Sequence, residues 1–291
     1  MPKIIFSHLA LFCANSIYAI NYIFAKDVMP YYLGASGFIL LRVLGACLVF
    51  SLIHHFFIKE SIQKKDMGYL IVCALFGVVI NMLCFFKGLS ITTPINASLI
   101  MITTPLLVYI ISCFLSQEER SFKRFFGVLL GLFGAGILVS NGSSLSINNM
   151  GDFLVFLNAS SYALYLILIK KMMSKYHPIT VLKTIFFIGL VFITPVGWHE
   201  LSLLSINTLP TDIILKIIFV VLFTTCGAYF LNIYAIGNLR ASTVAFYIYL
   251  QPLLATILSI ALGKDILTTI KILAATLIFI GVYFVIRRQT L

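Results

Sequence analysis

The chain has 291 residues, of which 61% are hydrophobic and only 10% charged, with a mean hydropathy of +1.10. A soluble domain carries about 25% charged residues, so this much apolar surface excludes a fold solvated by water alone. The formal charge of +11 comes with no nucleic-acid motif; it is read as topology and attraction to anionic headgroups, and no nucleic-acid partner is expected.

Six long runs contain no Asp, Glu, Lys or Arg: Ile4 to Ala25, Met67 to Phe86, Gly88 to Gln117, Phe125 to Gly151, Ile217 to Leu239 and Ala241 to Gly263. Each reaches the roughly 20 residues that a helix needs to cross hydrocarbon. They lack the strict alternation of barrel strands, and a helix satisfies its own backbone within lipid. In chain order the predicted spans are 5–25, 33–57, 67–86, 93–115 and 125–140, then 152–169, 178–197, 213–236, 242–262 and 267–286. The opening segment is similar to a signal peptide, but Asn15 and Asn21 interrupt it and further spans follow. It is read as an uncleaved first helix.

Orientation follows from the basic residues. With the N-terminus in the cytoplasm, thirteen of the 20 Lys and Arg fall inside and five fall outside (Lys26, Lys87, Lys216, Lys264, Lys271), while Arg42 and Lys183 lie within spans. The expected fold is therefore all-α and integral to the membrane, with ten transmembrane helices and both termini cytoplasmic. The six cysteines lie in apolar runs without CxxC or metal-ligand spacing, so they are read as packing residues and neither metal nor cofactor is expected.

A weak internal echo recurs at about 145 residues. Ile17-Tyr18-Ala19 running on to Lys26 is matched by Ser161-Tyr162-Ala163 running on to Lys170. Ile102-Thr103-Thr104-Pro105 is matched by Tyr249-Leu250-Gln251-Pro252, and thirteen residues past each proline stands an acid, Glu118 or Asp265. The domains are accordingly read as repeats over 1–145 and 146–291. Five helices is an odd number, so the second repeat is expected to be inverted, with substrate near the midplane between the halves.

The stretch from Gly88 through Pro105, then Glu118-Glu119-Arg120 and Gly127 to Gly134, resembles the EamA-type branch of the drug/metabolite transporter superfamily. Its second copy runs from Tyr234 through Pro252, Gly263-Lys264-Asp265 and Ala274 to Gly281. The resemblance implies a ten-helix bundle in which spans one to four and six to nine surround a cavity, with five and ten at the side. It also implies alternating access for amino acids, other metabolites or drugs. Lys87 where the second copy has Tyr234, and Asp265 in place of the first copy's glutamate, depart from the pattern.

Arg42 lies about nine residues into its span, roughly 13 Å deep at about 1.5 Å per residue. A charge there faces protein or a watery cavity. Two readings stand: a fork for a substrate carboxylate or phosphate, or a structural arginine bonded to helix-end carbonyls. The candidate cavity set is Asn15, Tyr18, Arg42, Asn81, Lys87 and Asn96 from the first half, with Asn158, Tyr162, Tyr165, Tyr229, Asn232, Tyr247 and Gln251 from the second. Such groups either line a binding cavity or act as interhelical polar glue. Pro105 and Pro252 are expected mid-helix, as hinges or static kinks. Gly127, Gly131 and Gly134 form a small-residue face for close packing, within the bundle or in a dimer.

All nine acids fall at span ends or in loops, which favours facilitated diffusion or exchange over carboxylate-based proton coupling. No buried catalytic constellation is present, so an enzyme is not expected. The expected function is a multi-pass transporter of a bacterial inner membrane, a monomer or homodimer, exporting or equilibrating amino acids or related solutes. The alternative is uptake or exchange of an anionic metabolite such as a nucleotide derivative or sugar phosphate, with Arg42 and Lys87 as its motive.

Overall fold

The computed structural model describes residues 2–115, 121–140, 149–205, 209–261 and 268–286. Among these, the regular structure is helical and no strand forms. The first half holds α1 (Pro2–Val28), α2 (Ala35–Phe57), α3 (Lys64–Ile91), α4 (Pro94–Met101), α5 (Thr104–Leu115) and α6 (Phe122–Ser140). The second half holds α7 (Asn149–Met173), α8 (Pro178–Ser202), α9 (Thr211–Asn238), α10 (Ala241–Phe246), α11 (Leu250–Ala261) and α12 (Thr269–Ile286). Seven of the described helices are long and apolar enough to cross a membrane: α1, α2, α3, the run Asn96–Leu115 through α4 and α5, α7, α8 and α9.

The echo in sequence is an echo in architecture. Helix starts at 2, 35, 64, 94, 104 and 122 recur at 149, 178, 211, 241, 250 and 269, offsets of 143 to 147. Two local irregularities recur with them. α3 widens to a π-turn over Leu75–Val79, and α9 does the same over Val220–Gly227, starting 145 residues later. Such insertions free backbone groups from the regular ladder, and they cluster at functional sites. The acids at 118 and 265 lie outside the described residues.

The prolines sit differently from their expected places. Neither Pro105 nor Pro252 bends a continuous helix. α4 stops at Met101, and Pro105 is the second residue of α5; a tight turn over Tyr247–Tyr249 separates α10 from α11, of which Pro252 is the third residue. In a first helical turn the missing N–H has no partner to lose, so each proline restarts a broken span. Thr103, in the first break, donates its hydroxyl to the Ile100 carbonyl at 2.7 Å.

The small-residue face of α6 is used inside the chain. A Cβ on Gly127 would lie 2.9 Å from the Gly281 carbonyl of α12, and one on Gly134 would lie 2.7 Å from the Ala274 carbonyl. Gly131 takes the rings of Tyr249 and Phe246. α6 and α12 therefore pair at one side of the bundle, and a dimer contact through this face is closed to them. On the opposite flank α2 lies along α8, with Gly197 against the Ser36 carbonyl and Leu40.

Polar contacts tie the halves together at both ends of the bundle. Where α1 begins, Asp66 pairs with Lys175 at 2.8 Å and accepts from the Tyr176 hydroxyl at 2.8 Å. Lys183, which lies within its span, reaches His54 Nδ1 at 3.3 Å. At the other end Lys216 pairs with Asp27 at 2.8 Å, and Thr92 donates to Asp152 at 2.6 Å. Lys26 donates to the carbonyls of Leu89, Ser90 and Thr92 at 2.8 to 3.0 Å, closing the end of α3. Charge-assisted bonds of this kind are worth about 1.5–3 kcal/mol when sheltered. Lys26→Met is therefore expected to lower the melting temperature of the protein in detergent; an unchanged melt would show that the cap contributes nothing.

Candidate functional site

The π-turn in α3 explains much of the polar lining. Widening at Leu75–Val79 turns backbone carbonyls away from their own helix, and side chains of the second half meet them. Ser161 donates to the Phe76 carbonyl at 2.6 Å and Tyr229 to that of Gly77 at 3.2 Å. One turn on, Asn158 Nδ2 donates to the Asn81 carbonyl at 2.8 Å. Three helices, α3, α7 and α9, are thus knitted around one point, and the Tyr229 hydroxyl also reaches Asn81 Oδ1 at 3.3 Å.

A cavity opens beside this point. α1 supplies Asn15, Tyr18, Asn21 and Tyr22; α2 supplies Arg42; α3 supplies Asn81, Met82, Phe85 and Phe86. The second half adds Asn158 and Tyr162 from α7, Thr224, Tyr229 and Asn232 from α9, and Val244, Ile248 and Gln251 from the broken span; Met101 of α4 completes the wall. No lining residue comes from α6, α8 or α12. The cavity has a volume of about 80 Å³.

Hydrogen bonds orient many of these groups. Gln251 Nε2 donates to Asn15 Oδ1 at 2.8 Å, and Asn15 Nδ2 to the Leu11 carbonyl at 2.8 Å. Asn232 Nδ2 donates to the Ala228 carbonyl at 2.9 Å and to the Tyr18 hydroxyl oxygen at 3.3 Å. Four buried polar atoms of the wall have no partner within the described protein: Asn21 Oδ1, Asn158 Oδ1, Thr224 Oγ1 and Arg42 Nη1. Buried polar groups left unpaired are costly, which makes these four the groups most ready to meet a polar solute.

Arg42 stands apart because it alone in the wall is charged. It is 2% exposed. Its Nε donates to Thr225 Oγ1 at 2.8 Å, and its guanidinium lies 4.2 Å over the Phe86 ring. Among the described residues no helix-end carbonyl accepts from it. No described carboxylate pairs with it either: Asp27, Asp66, Asp152 and Glu200 are engaged at the bundle ends, with Glu200 accepting from the Gly37 N–H at 2.8 Å. A desolvated cation without a counter-ion is unfavourable until an anion arrives.

Of the thirteen residues singled out by sequence, nine share this wall: Asn15, Tyr18, Arg42, Asn81, Asn158, Tyr162, Tyr229, Asn232 and Gln251. Four lie elsewhere. Lys87 is exposed near the end of α3. Asn96 is in the first turn of α4, its backbone N–H capped by Thr93 at 3.1 Å. Tyr165 stacks on Tyr162 but turns its ring onto Gly77. Tyr247 bonds His8 Nδ1 at 2.8 Å, a turn short of Gln251. The polar residues that sequence reasoning missed are Asn21, Tyr22 and Thr224. Asn21 and Tyr22 stand three and four residues past Tyr18, so continuing that helix face by one turn finds both.

The two halves, the paired breaks and the shared polar cavity define a repeat-built membrane carrier. Residues 5–140 and 149–287 each match the EamA-like transporter family, and the chain belongs to it. Its relatives include an uncharacterized transporter of Archaeoglobus fulgidus, 28% identical over 263 residues that cover 86% of this chain and 87% of that protein. The Bacillus subtilis protein YyaM, also named an uncharacterized transporter, is 26% identical over 229 residues, covering 77% and 75%. A solved crystal structure at 16% identity shares the fold, with a TM-score of 0.76 over 98% of this chain and 96% of its own. The chain is thus a multi-pass membrane transporter of small solutes.

Proposed function

We propose that the protein carries small zwitterionic solutes, α-amino acids first among them, across a bacterial inner membrane by alternating access. The observation that carries this reading is Arg42: one buried guanidinium without a carboxylate partner among the described residues, in a wall otherwise built of amides, hydroxyls, aromatic rings and apolar side chains. Arg42 meets the carboxylate. The amide oxygens of Asn21 and Asn158 and the faces of the tyrosines suit an ammonium group. The remaining wall residues named above shape the cavity.

A single cation fits the one carboxylate of an amino acid better than a nucleotide derivative or sugar phosphate, whose phosphate brings up to two negative charges. The position of Lys87 outside the wall removes one motive for that alternative. The recurring helix order supports ten crossings: α4 with α5 form one broken span, α10 with α11 another, and the second five-helix unit is inverted relative to the first. Both termini then lie in the cytoplasm, where most of the basic residues gather, and the repeats divide near residue 145. Pro105 and Pro252, each at a restart, act as paired hinges, and the direction of net flow is export or equilibration.

The test is uptake into proteoliposomes of labelled L-amino acids, nucleotides and sugar phosphates, with no imposed ion gradient. Down-gradient movement of amino acids is the expected result. Movement confined to the anions would replace this reading by the alternative, and movement of nothing without a proton gradient would overturn uncoupled transport.

A further inference from the structure

The π-turn of α9 has a direct consequence for the anion-binding edge of Arg42. Within Val220–Gly227 the widened backbone leaves the Val220 carbonyl to be met by a side chain, and Thr225 Oγ1 donates to it at 2.9 Å. That bond uses the one hydroxyl proton. The lone pairs left over accept from Arg42 Nε at 2.8 Å. The direction is fixed, since a guanidinium has no acceptor and the hydroxyl has no second proton. Thr225 is fully buried, so water cannot take its place. Its neighbour Thr224, one residue earlier on the widened turn, faces the cavity itself.

Two of the guanidinium's approaches are thereby used. The Nε side is held by Thr225 and one ring face is covered by Phe86 at 4.2 Å. The terminal edge remains, and among the described residues its Nη1 has no partner. We infer that Thr225 is a positioning residue, which holds Arg42 so that only its terminal two-nitrogen edge can receive the carboxylate of the solute. This rests on the reading of Arg42 as carboxylate anchor given above. The arrangement occurs once, not twice. Counted from the helix starts, the position matching Arg42 in α8 is Ile185, and the residue 145 before Thr225 is Ile80. The carrier therefore offers one anion edge across the two repeats, built from α2 of the first half and α9 of the second.

The experiment takes the L-amino acid that the wild-type carrier moves fastest from a labelled panel of all twenty, and its own α-amide as competitor. Thr225→Val removes the acceptor at nearly constant volume and is expected to raise the half-saturation concentration about tenfold, the scale of one charge-assisted bond. Maximal rate changes little, because the helix is intact. Preference for the acid over its amide shrinks in step, and Thr225→Ser restores most of the affinity. On an Arg42→Lys background, which has no Nε–H to hold, adding Thr225→Val costs nothing further. Should the valine variant not give monodisperse protein, Thr225→Ala removes the same hydroxyl. Unchanged affinity and acid-over-amide preference in the hydroxyl-less variant, with transport impaired by Arg42→Gln, would overturn the role of Thr225. Indifference to Arg42→Gln would instead sink the anchor reading on which it rests.

Discussion

Replacing Arg42 by glutamine is expected to lower amino-acid uptake about 10–100-fold, the value of losing a sheltered charge-assisted contact at about 1.4 kcal/mol per factor of ten. The loss should appear chiefly in half-saturation, because the anchor acts on the bound carboxylate. Lysine at the same position keeps the charge without the planar fork, so it should fall between the two. Stability should move the other way. Arg42 is 2% exposed and has no described carboxylate partner, and a neutral side chain there avoids a desolvated charge. A variant that melts no lower than wild type yet transports poorly separates binding from folding. Full uptake by Arg42→Gln would dismiss the site as drawn.

The second large effect is on assembly of the bundle. A Cβ on Gly281 would stand 2.6 Å from the Gly127 carbonyl and 3.0 Å from the Gly131 nitrogen. Both are backbone atoms of α6, which cannot swing aside as a side chain would. Gly281→Val should force α12 off α6 and cost about 1–3 kcal/mol or more, as overpacking does. Gly136, on α6, makes the control, because among the described residues its Cβ would meet only Ile102 Cδ1, at 3.9 Å. Gly136→Ala should melt near wild type or slightly above, given the helix preference of alanine. Equal melting temperatures for the two variants would show that the α6–α12 contact is loose.

Much of the helix layout was legible in the sequence, for a simple reason. Charge-free runs report the thickness of hydrocarbon, so spans such as 5–25 and 125–140 fall close to α1 and α6. The ends were read short where helices carry charge past the apolar run, as α3 does through Lys64, Lys65 and Asp66. The breaks after Met101 and Phe246 were partly visible in Pro105 and Pro252 but were read as bends. A proline in a first turn and one at mid-helix look alike in sequence, and only the backbone tells them apart. The π-turns left no trace, because Leu-Phe-Gly-Val-Val is as good a regular helix as a widened one. Their effect is nevertheless large, since they bring Ser161, Asn158 and Tyr229 to α3 and Thr225 to Arg42.

Polar residues in an apolar helix were a good guide to the wall, and the failures have identifiable causes. Tyr165 shares a face with Tyr162 but finds the bare surface of Gly77 and packs there. Tyr247 stands on the turn between α10 and α11, where its hydroxyl is taken by His8. Phe85, Phe86 and Met82 gave no signal at all, being ordinary membrane residues until Arg42 is seen to lie on Phe86.

The lone guanidinium also bears on the tempo of the transport cycle. Any carrier of this kind must close around its cavity twice per cycle, once with cargo and once without. Closing on an empty cavity strands Arg42 in a dry wall with no opposite charge, a state disfavoured by several kcal/mol. A bound carboxylate removes most of that penalty. If Arg42 anchors the solute as proposed, the return stroke is the slow one unless a second solute rides back, so traffic in one direction quickens traffic in the other. Solute pools on the two sides, rather than an ion gradient, would set which way material flows.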